Sequence, residues 1–70
     1  MKPYVSVIIA ALNEEEAIGK VINDVSRQIA DEIIVVDNGS TDRTAEVAAA
    51  AGARVVTEPQ RGYGRVLLAN

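Results

Sequence analysis

Three polar segments of the sequence carry the side chains that could do chemistry, and each follows an apolar run. They are Asn13-Glu14, Asp37 to Asp42, and Arg61 to Arg65. Asp37 precedes Asn-Gly-Ser, so its carboxylate could accept hydrogen bonds from a ligand or could only cap the turn that follows. Two glycines lie between Arg61 and Arg65, and they permit close approach of the backbone to a phosphate. These residue types suit a polar ligand that carries phosphate.

Two of the acidic residues also have structural interpretations. Asp42 falls in the predicted first turn of a helix, where the helix dipole favours a negative charge, and we favour a structural role for it. Glu14 has the same explanation at the start of the preceding helix. For Tyr63, stacking on a ligand and covering a sheet edge both remain open.

The apolar pattern predicts the elements that position these segments. The nearly continuous β-branched run of the first strand predicts a strand buried on both faces, and a second such run predicts another buried strand. Apolar residues at helical spacing, Ile18 to Ile29, predict a core-facing stripe. Asn13 is expected to cap the first helix with Glu16 as its capping-box partner, and Gly52 to stop the second helix. The predicted order is strand Tyr4 to Ala10, helix from Glu14, strand Glu32 to Asp37, helix Asp42 to Ala51, strand Arg54 to Thr57 and a third helix from Val66.

This order predicts an α/β fold. Right-handed crossovers turn β-α-β-α-β-(α) into a parallel sheet in three layers. Either the first or the second strand could be central, and the second is favoured. Ligands of such sheets bind at the carboxyl ends of the strands, where the three polar segments meet. Residues 1–70 are expected to form a single partial domain.

Composition excludes several classes of protein. The 70 residues are 49% hydrophobic and 24% charged, which is typical of a folded chain. A net charge of −3 argues against a nucleic-acid partner, and no apolar run approaches the ~20 residues that span a bilayer. Without Cys or a signal peptide the expected location is the cytoplasm, including the cytoplasmic face of a membrane. A core this small, with open sheet edges, favours self-association.

A dinucleotide-binding site of the NAD type fits poorly. The loop after the first strand has no glycine, and Leu12 and Glu14 would keep a pyrophosphate from the backbone. A nucleotide could instead place its base and ribose against these residues and its phosphates toward Arg61.

The three segments together resemble a known family. Val7 to Glu15, Ile34 to Thr44 and Gln60 to Arg65 are similar, in order and spacing, to the N-terminal part of family 2 glycosyltransferases of the GT-A fold. The group related to dolichyl-phosphate mannosyltransferases is the most similar one. The resemblance covers essentially the whole chain and implies the nucleotide-binding half of that Rossmann-like fold.

The resemblance also implies an activity and a set of binding residues. The family consists of inverting transferases that use a nucleoside-diphosphate sugar and a divalent metal, Mg²⁺ or Mn²⁺. The acceptor is a hydroxyl group or a lipid phosphate. The residues that it assigns to the nucleotide are Leu12, Glu14 and Asp37 for the base and ribose, and Arg61, Gly62 and Gly64 for the region of the phosphates.

Two departures from the family pattern qualify this assignment. The family usually has proline where this sequence has Ala10, and the sequence contains no Asp-x-Asp metal motif. The metal ligands and the general base are therefore expected outside these residues, and the 70-residue chain alone is expected to be inactive. The alternative hypothesis is a non-catalytic fragment or a self-associating interaction module.

Overall fold

The computed structural model describes residues 3–25 and 28–58, which form a parallel sheet with two helices. The sheet order is β1-β2-β3, so the second strand is central, as the sequence predicts. The third helix that the sequence predicts from Val66 lies outside the described residues. The elements are β1 (Ser6–Ala11), α1 (Ile18–Asp24), β2 (Glu32–Asp37), α2 (Thr44–Ala50) and β3 (Arg54–Thr57).

The strand register brings the three carboxyl ends to one level. Ala11 at the end of β1 lies opposite Asp37 at the end of β2, and Asp37 lies opposite Thr57 at the end of β3. The backbone N–H of Asn38 continues this pairing by donating to the carbonyl of Ala11 at 2.9 Å. The chain segments that follow β1 and β2 therefore leave the sheet side by side.

The core lies between one face of the sheet and both helices. Ile18 and Ile22 of α1 meet Ile33 and Val35 of β2, and Ala48 of α2 completes the cluster. The two helices also approach each other closely, because a Cβ at Gly19 would lie 3.4 Å from Val47 Cγ1. The buried strand residues alternate, as expected of a sheet that is covered on one side.

The expectation that the first strand is buried on both faces is wrong for the described residues. Ile8 of β1 is 61% exposed and Val56 of β3 is 45% exposed, and both belong to the face opposite the helices. The physical reason is the topology: successive right-handed crossovers in one direction place α1 and α2 on the same side of the sheet. The described residues thus supply two of the three predicted layers.

Helix α1 is shorter than predicted and begins later. It starts at Ile18 rather than Glu14, because residues 15–17 form a turn in which the Glu14 carbonyl accepts from Ala17 N and Ile18 N at 3.0 and 2.8 Å. Asn13 does not cap it: the residue has a left-handed φ of 53°, and the N-cap position, Ala17, has no side-chain hydrogen bond. Ile29, predicted on the core-facing stripe, lies beyond the helix and is exposed.

Helix α2 ends as the sequence predicts. Gly52 has a φ of 101°, its N–H donates to the carbonyl of Ala49 at 3.0 Å, and the N–H of Ala53 donates to that of Ala48 at 3.1 Å. This pair of hydrogen bonds is the Schellman arrangement, in which the left-handed residue is usually glycine. The turn directs the chain from α2 into β3.

Candidate functional site

Two loops at the carboxyl edge of the sheet are joined by side-chain hydrogen bonds. We call residues 12–17 the β1 loop and residues 38–43 the β2 loop. Asn13 N–H donates to Ser40 Oγ at 2.9 Å, and Asn13 Oδ1 accepts from Thr41 N–H at 2.9 Å and from Thr41 Oγ1 at 3.3 Å. The side chain that the sequence assigned to a helix cap therefore holds the two loops together.

The first residue of α2 extends this connection. Thr44 is fully buried, and its Oγ1 accepts the backbone N–H of Glu14 at 2.8 Å while donating to Asp42 Oδ1. Asp42 Oδ2 accepts the backbone N–H of Glu15 at 3.2 Å. We call the five side chains that tie the loops in this way the loop clasp; its members are Asn13, Ser40, Thr41, Asp42 and Thr44.

Asp42 has the structural role that its position favours. Its Oδ1 also accepts the Thr44 backbone N–H at 2.9 Å, so it caps α2 from just outside the helix. The Thr44 hydroxyl lowers the pKa of Asp42 below its usual 3.8, with smaller contributions from the backbone N–H groups, and these outweigh the opposing effect of desolvation. Asp42 is therefore anionic at neutral pH, when it accepts all of these hydrogen bonds.

Asp37 is less accessible than a ligand-facing group would suggest. It is 5% exposed, and its Oδ1 accepts the backbone N–H of Ser40 at 3.0 Å, as a turn cap does. Its main-chain carbonyl accepts the Glu58 N–H at 2.7 Å. Among the described residues no group donates to Asp37 Oδ2, so the turn-capping interpretation accounts for only half of the carboxylate.

Two open clefts flank the β1 loop. The first has a volume of about 330 Å³ and is lined by Asn13 to Ala17 and by Asp42. The second has a volume of about 390 Å³ and is more apolar; Ile9 to Leu12 line it together with Glu14 and two residues of α1. Glu14 is the residue that lines both clefts, Leu12 lines the second, and Asp37 lines neither.

Asn38 is a residue that the sequence reasoning missed. Its side chain is fully buried, yet within residues 3–25 and 28–58 neither its Oδ1 nor its Nδ2 has a hydrogen-bond partner. Leaving a buried amide unpaired costs about 1–3 kcal/mol, which marks this side chain as a candidate site residue. Its position inside Asp-Asn-Gly-Ser is a signal in the sequence, although that pattern by itself predicts only a turn.

The remaining predicted site residues, Arg61, Gly62 and Gly64, lie outside the described residues, and their assignment stays a prediction. Within the described ranges no group of three acidic, His or Cys side chains comes together to hold a metal ion. The residues described thus offer no metal site. Among the same residues, no helix is long and apolar enough to cross a membrane.

Comparison with known families gives one match across nearly the whole chain. The family described as "Glycosyl transferase family 2" matches residues 6–69. Curated relatives agree: glucosyl-3-phosphoglycerate synthase of Mycolicibacterium smegmatis is 46% identical over 74 residues, and the protein RfbJ of Shigella flexneri is 50% identical over 64 residues. Both alignments cover 90% of this chain, but only 24% and 50% of those proteins. A dolichyl-phosphate hexose transferase of Haloferax volcanii is 47% identical over 62 residues, which is 84% of this chain and 26% of that enzyme.

Solved structures give the same result. The crystal structure of glucosyl-3-phosphoglycerate synthase from Mycobacterium tuberculosis matches 77% of this chain with a TM-score of 0.71 and 49% identity. The match covers 21% of that chain. The same enzyme in complex with Mn²⁺, UDP-glucose and glycerol 3-phosphate matches equally well. This chain is therefore similar to a minor part of those enzymes.

Proposed function

Because this chain belongs to glycosyl transferase family 2, we propose that it supplies the nucleotide-binding part of a glycosyltransferase. Its three parallel strands with two helices have the GT-A fold of the solved structures to which it is similar. The proposed reaction is transfer of a sugar from a nucleoside-diphosphate donor, with inversion, to an acceptor hydroxyl or a lipid phosphate. The cytoplasm, including the cytoplasmic face of a membrane, is the proposed location.

The position of Glu14 carries this proposal. It lines both clefts, and the loop clasp fixes its backbone at the carboxyl edge of the sheet, where ligands of parallel α/β folds bind. In the proposed complex, Glu14 accepts hydrogen bonds from the base or ribose and Leu12 packs against the apolar part of the nucleoside. Asp37 contributes the carboxylate oxygen that its own turn leaves unused.

The diphosphate and the metal are expected to contact residues that do not line these clefts. We propose that Arg61, Gly62 and Gly64 lie near the diphosphate, since two glycines and a guanidinium suit a close, charge-assisted contact. A divalent metal would neutralise the diphosphate leaving group when bound. The support for a metal is the Mn²⁺ in the complexes of the mycobacterial enzyme, and its ligands are expected outside residues 1–70.

A binding screen tests the proposal directly. UDP, GDP, CDP and TDP are titrated into the full-length protein by calorimetry, with and without Mn²⁺. We expect one of them to bind and Glu14→Gln to weaken that binding at unchanged melting temperature. Lys20→Gln, which removes an exposed charge from α1 outside both clefts, is the control. A protein that binds none of the four nucleotides does not have the proposed function.

The variant Asp37→Asn distinguishes a ligand-binding role of Asp37 from a role as a turn cap only. An amide oxygen can still accept the Ser40 N–H, so the turn is kept while the charge is lost. We expect the nucleotide Kd to rise about 10- to 100-fold, because hydrogen bonds to charged groups contribute about 1.5–3 kcal/mol. Equal affinity of variant and wild type by calorimetry would reduce Asp37 to a turn cap.

A second candidate function is a non-catalytic interaction module. The observation that favours it is the uncovered apolar face of the sheet, where Ile8 and Val56 are exposed. Sugar transfer by the full-length protein, measured with a radiolabelled donor, would eliminate it. Transfer by residues 1–70 alone would instead contradict the assignment of the metal ligands and base to the rest of the protein.

A further inference from the structure

The β1 loop has little internal structure to hold it in one shape. Its backbone hydrogen bonds are the two accepted by the Glu14 carbonyl and, at its last residue, the one that the Ala17 carbonyl accepts from the Val21 N–H of α1. No side chain caps α1 from within the loop, and Asn13 has a left-handed φ of 53°. The orientation of Glu14 must therefore be set from outside the loop.

Thr44 is the residue that reaches the Glu14 backbone. Its hydroxyl accepts the Glu14 N–H at 2.8 Å and donates to Asp42, whose other oxygen accepts the Glu15 N–H at 3.2 Å. Two consecutive peptide groups of the β1 loop are thus held from the start of α2. Because Thr44 is fully buried, water cannot replace the hydrogen bond between its hydroxyl and the Glu14 N–H without a rearrangement of the loop.

We infer that Thr44 is a positioning residue for nucleotide binding, which acts through the main chain of Glu14 without touching the ligand. The inference rests on the proposed function and adds a residue to it. A loop fixed before the ligand arrives loses less conformational freedom on binding, so the clasp raises affinity by preorganisation. Ser40 contributes from the β2 loop by accepting the Asn13 N–H at 2.9 Å.

The decisive variant is Thr44→Val in the full-length protein. Valine keeps the β-branched shape in the core but can neither accept the Glu14 N–H nor donate to Asp42. We expect the Kd of the nucleotide that wild type binds to rise roughly tenfold. Thr44→Ser restores the hydroxyl and should return the Kd to within about twofold of wild type. In turnover assays the donor KM should rise while the acceptor KM stays unchanged.

Two further readouts distinguish positioning from general stability. Amide hydrogen exchange at Glu14 and Glu15 should accelerate in Thr44→Val without nucleotide, while exchange in β2 stays slow. In a double-mutant cycle, Thr44→Val should weaken binding much less in a Glu14→Gln background, because both changes remove the same contribution. Additive effects would mean that Thr44 does not act through Glu14, and would overturn the inference.

Ala48→Gly is the matched control. Ala48 lies one turn after Thr44 on the same buried face of α2, so glycine loosens the helix without touching the clasp. Its melting temperature should fall while the Kd stays at the wild-type value. A Kd that rises as much as in Thr44→Val would show an effect of helix stability alone and overturn the inference.

If Thr44→Val does not fold, Ser40→Ala decides the question. Ser40 is half-buried and outside the core, and its loss leaves Asn13 N–H without its acceptor; we expect roughly threefold weaker binding. Unchanged affinity would overturn the inference. If wild type binds a nucleotide and Thr44→Val binds it with the same Kd, only this inference is overturned. If wild type binds none of UDP, GDP, CDP and TDP, the proposed function is overturned as well.

Discussion

At the scale of single residues, Asn13 shows how one polar side chain serves a role that its neighbours in sequence do not reveal. Asparagine is a common N-cap and also one of the few residues that adopt positive φ. Here it has a φ of 53°, and its Oδ1 accepts hydrogen bonds from Thr41 instead of from the following helix. The tertiary contact therefore replaces the local cap.

Asp42 gives a pH-dependent prediction. Its folded-state pKa lies below the usual 3.8, chiefly because the Thr44 hydroxyl donates to it, so its contribution to stability is present above pH 3.8 and is lost as the pH falls through the folded pKa. We expect Asp42→Asn to have a lower melting temperature than wild type at pH 7. The difference should shrink as the pH is lowered below 3.8.

The control for this titration is Asp24→Asn. Asp24 pairs with Lys20 at 3.0 Å, but both side chains are exposed, and such pairs contribute little. Its melting temperature should stay close to wild type at pH 7. A difference between Asp42→Asn and wild type that is the same at pH 7 and pH 3 would contradict the assigned role of the Asp42 charge.

At the scale of elements, α2 connects the site to the sheet. Its first residue, Thr44, belongs to the loop clasp, and its last turn passes through Gly52 into β3. Seven residues make only two turns, so the helix depends on its ends and its packed face rather than on its own propensity. Substitutions at either end should therefore affect the loop clasp or β3 as well as the helix itself.

Gly52→Ala tests the C-terminal end. Gly52 is exposed and has a φ of 101°, where an L side chain is strained, so the substitution acts on the backbone rather than on packing. We expect the free energy of unfolding to fall by about 1–2 kcal/mol. Urea denaturation of the full-length protein, followed by circular dichroism, measures this difference.

Gly19→Ala should change the free energy of unfolding in the opposite direction to Gly52→Ala. Gly19 is the second residue of α1, and a Cβ there would meet Val47 Cγ1 at an ordinary contact distance of 3.4 Å. Alanine has the higher helix propensity and the lower unfolded-state entropy of the two residues, so this variant should unfold at equal or higher urea concentration than wild type. If both glycine variants lost stability equally, the left-handed φ of Gly52 would not be the cause of the loss in Gly52→Ala.

At the scale of the whole molecule, the distribution of apolar residues predicts association of the isolated chain. The face of the sheet opposite the helices exposes Ile8 and Val56, and among the described strands β1 and β3 each lack a neighbour on one side. Open edges and uncovered apolar faces promote contacts between chains. We expect residues 1–70 alone to be oligomeric or only marginally stable, as measured by sedimentation and a denaturant melt.

Ile8→Thr tests whether the open face of the sheet is responsible for association of the isolated chain. Threonine keeps the β propensity of this strand position and removes apolar area from the open face, so the variant should sediment closer to the monomer than wild type. Val21→Thr, at an exposed apolar position on α1, is the control and should leave sedimentation unchanged. A wild-type chain that is a cooperative monomer with several kcal/mol of stability would contradict the expectation.

The sequence by itself determined the features that depend on local patterns. Apolar runs and helical spacing predicted the order β-α-β-α-β, the parallel sheet with β2 in the centre, and the stop at Gly52; three motifs predicted the family. The polar residues after β1 and β2 were expected at one edge, and the register of Ala11 with Asp37 brings them there. These predictions succeed because period, propensity and crossover handedness operate within a few residues or one βαβ unit.

Only the tertiary structure decided how the loops are held. The hydrogen bonds that connect the β1 loop to residues 40–44 join positions 27 to 30 apart, so no local pattern gives the left-handed Asn13, the late start of α1 or the buried Thr44. The exposed outer face likewise follows from both helices lying on one side of the sheet. Each of these features depends on which distant donor and acceptor meet after folding, because a buried polar group takes whatever partner the packed chain supplies.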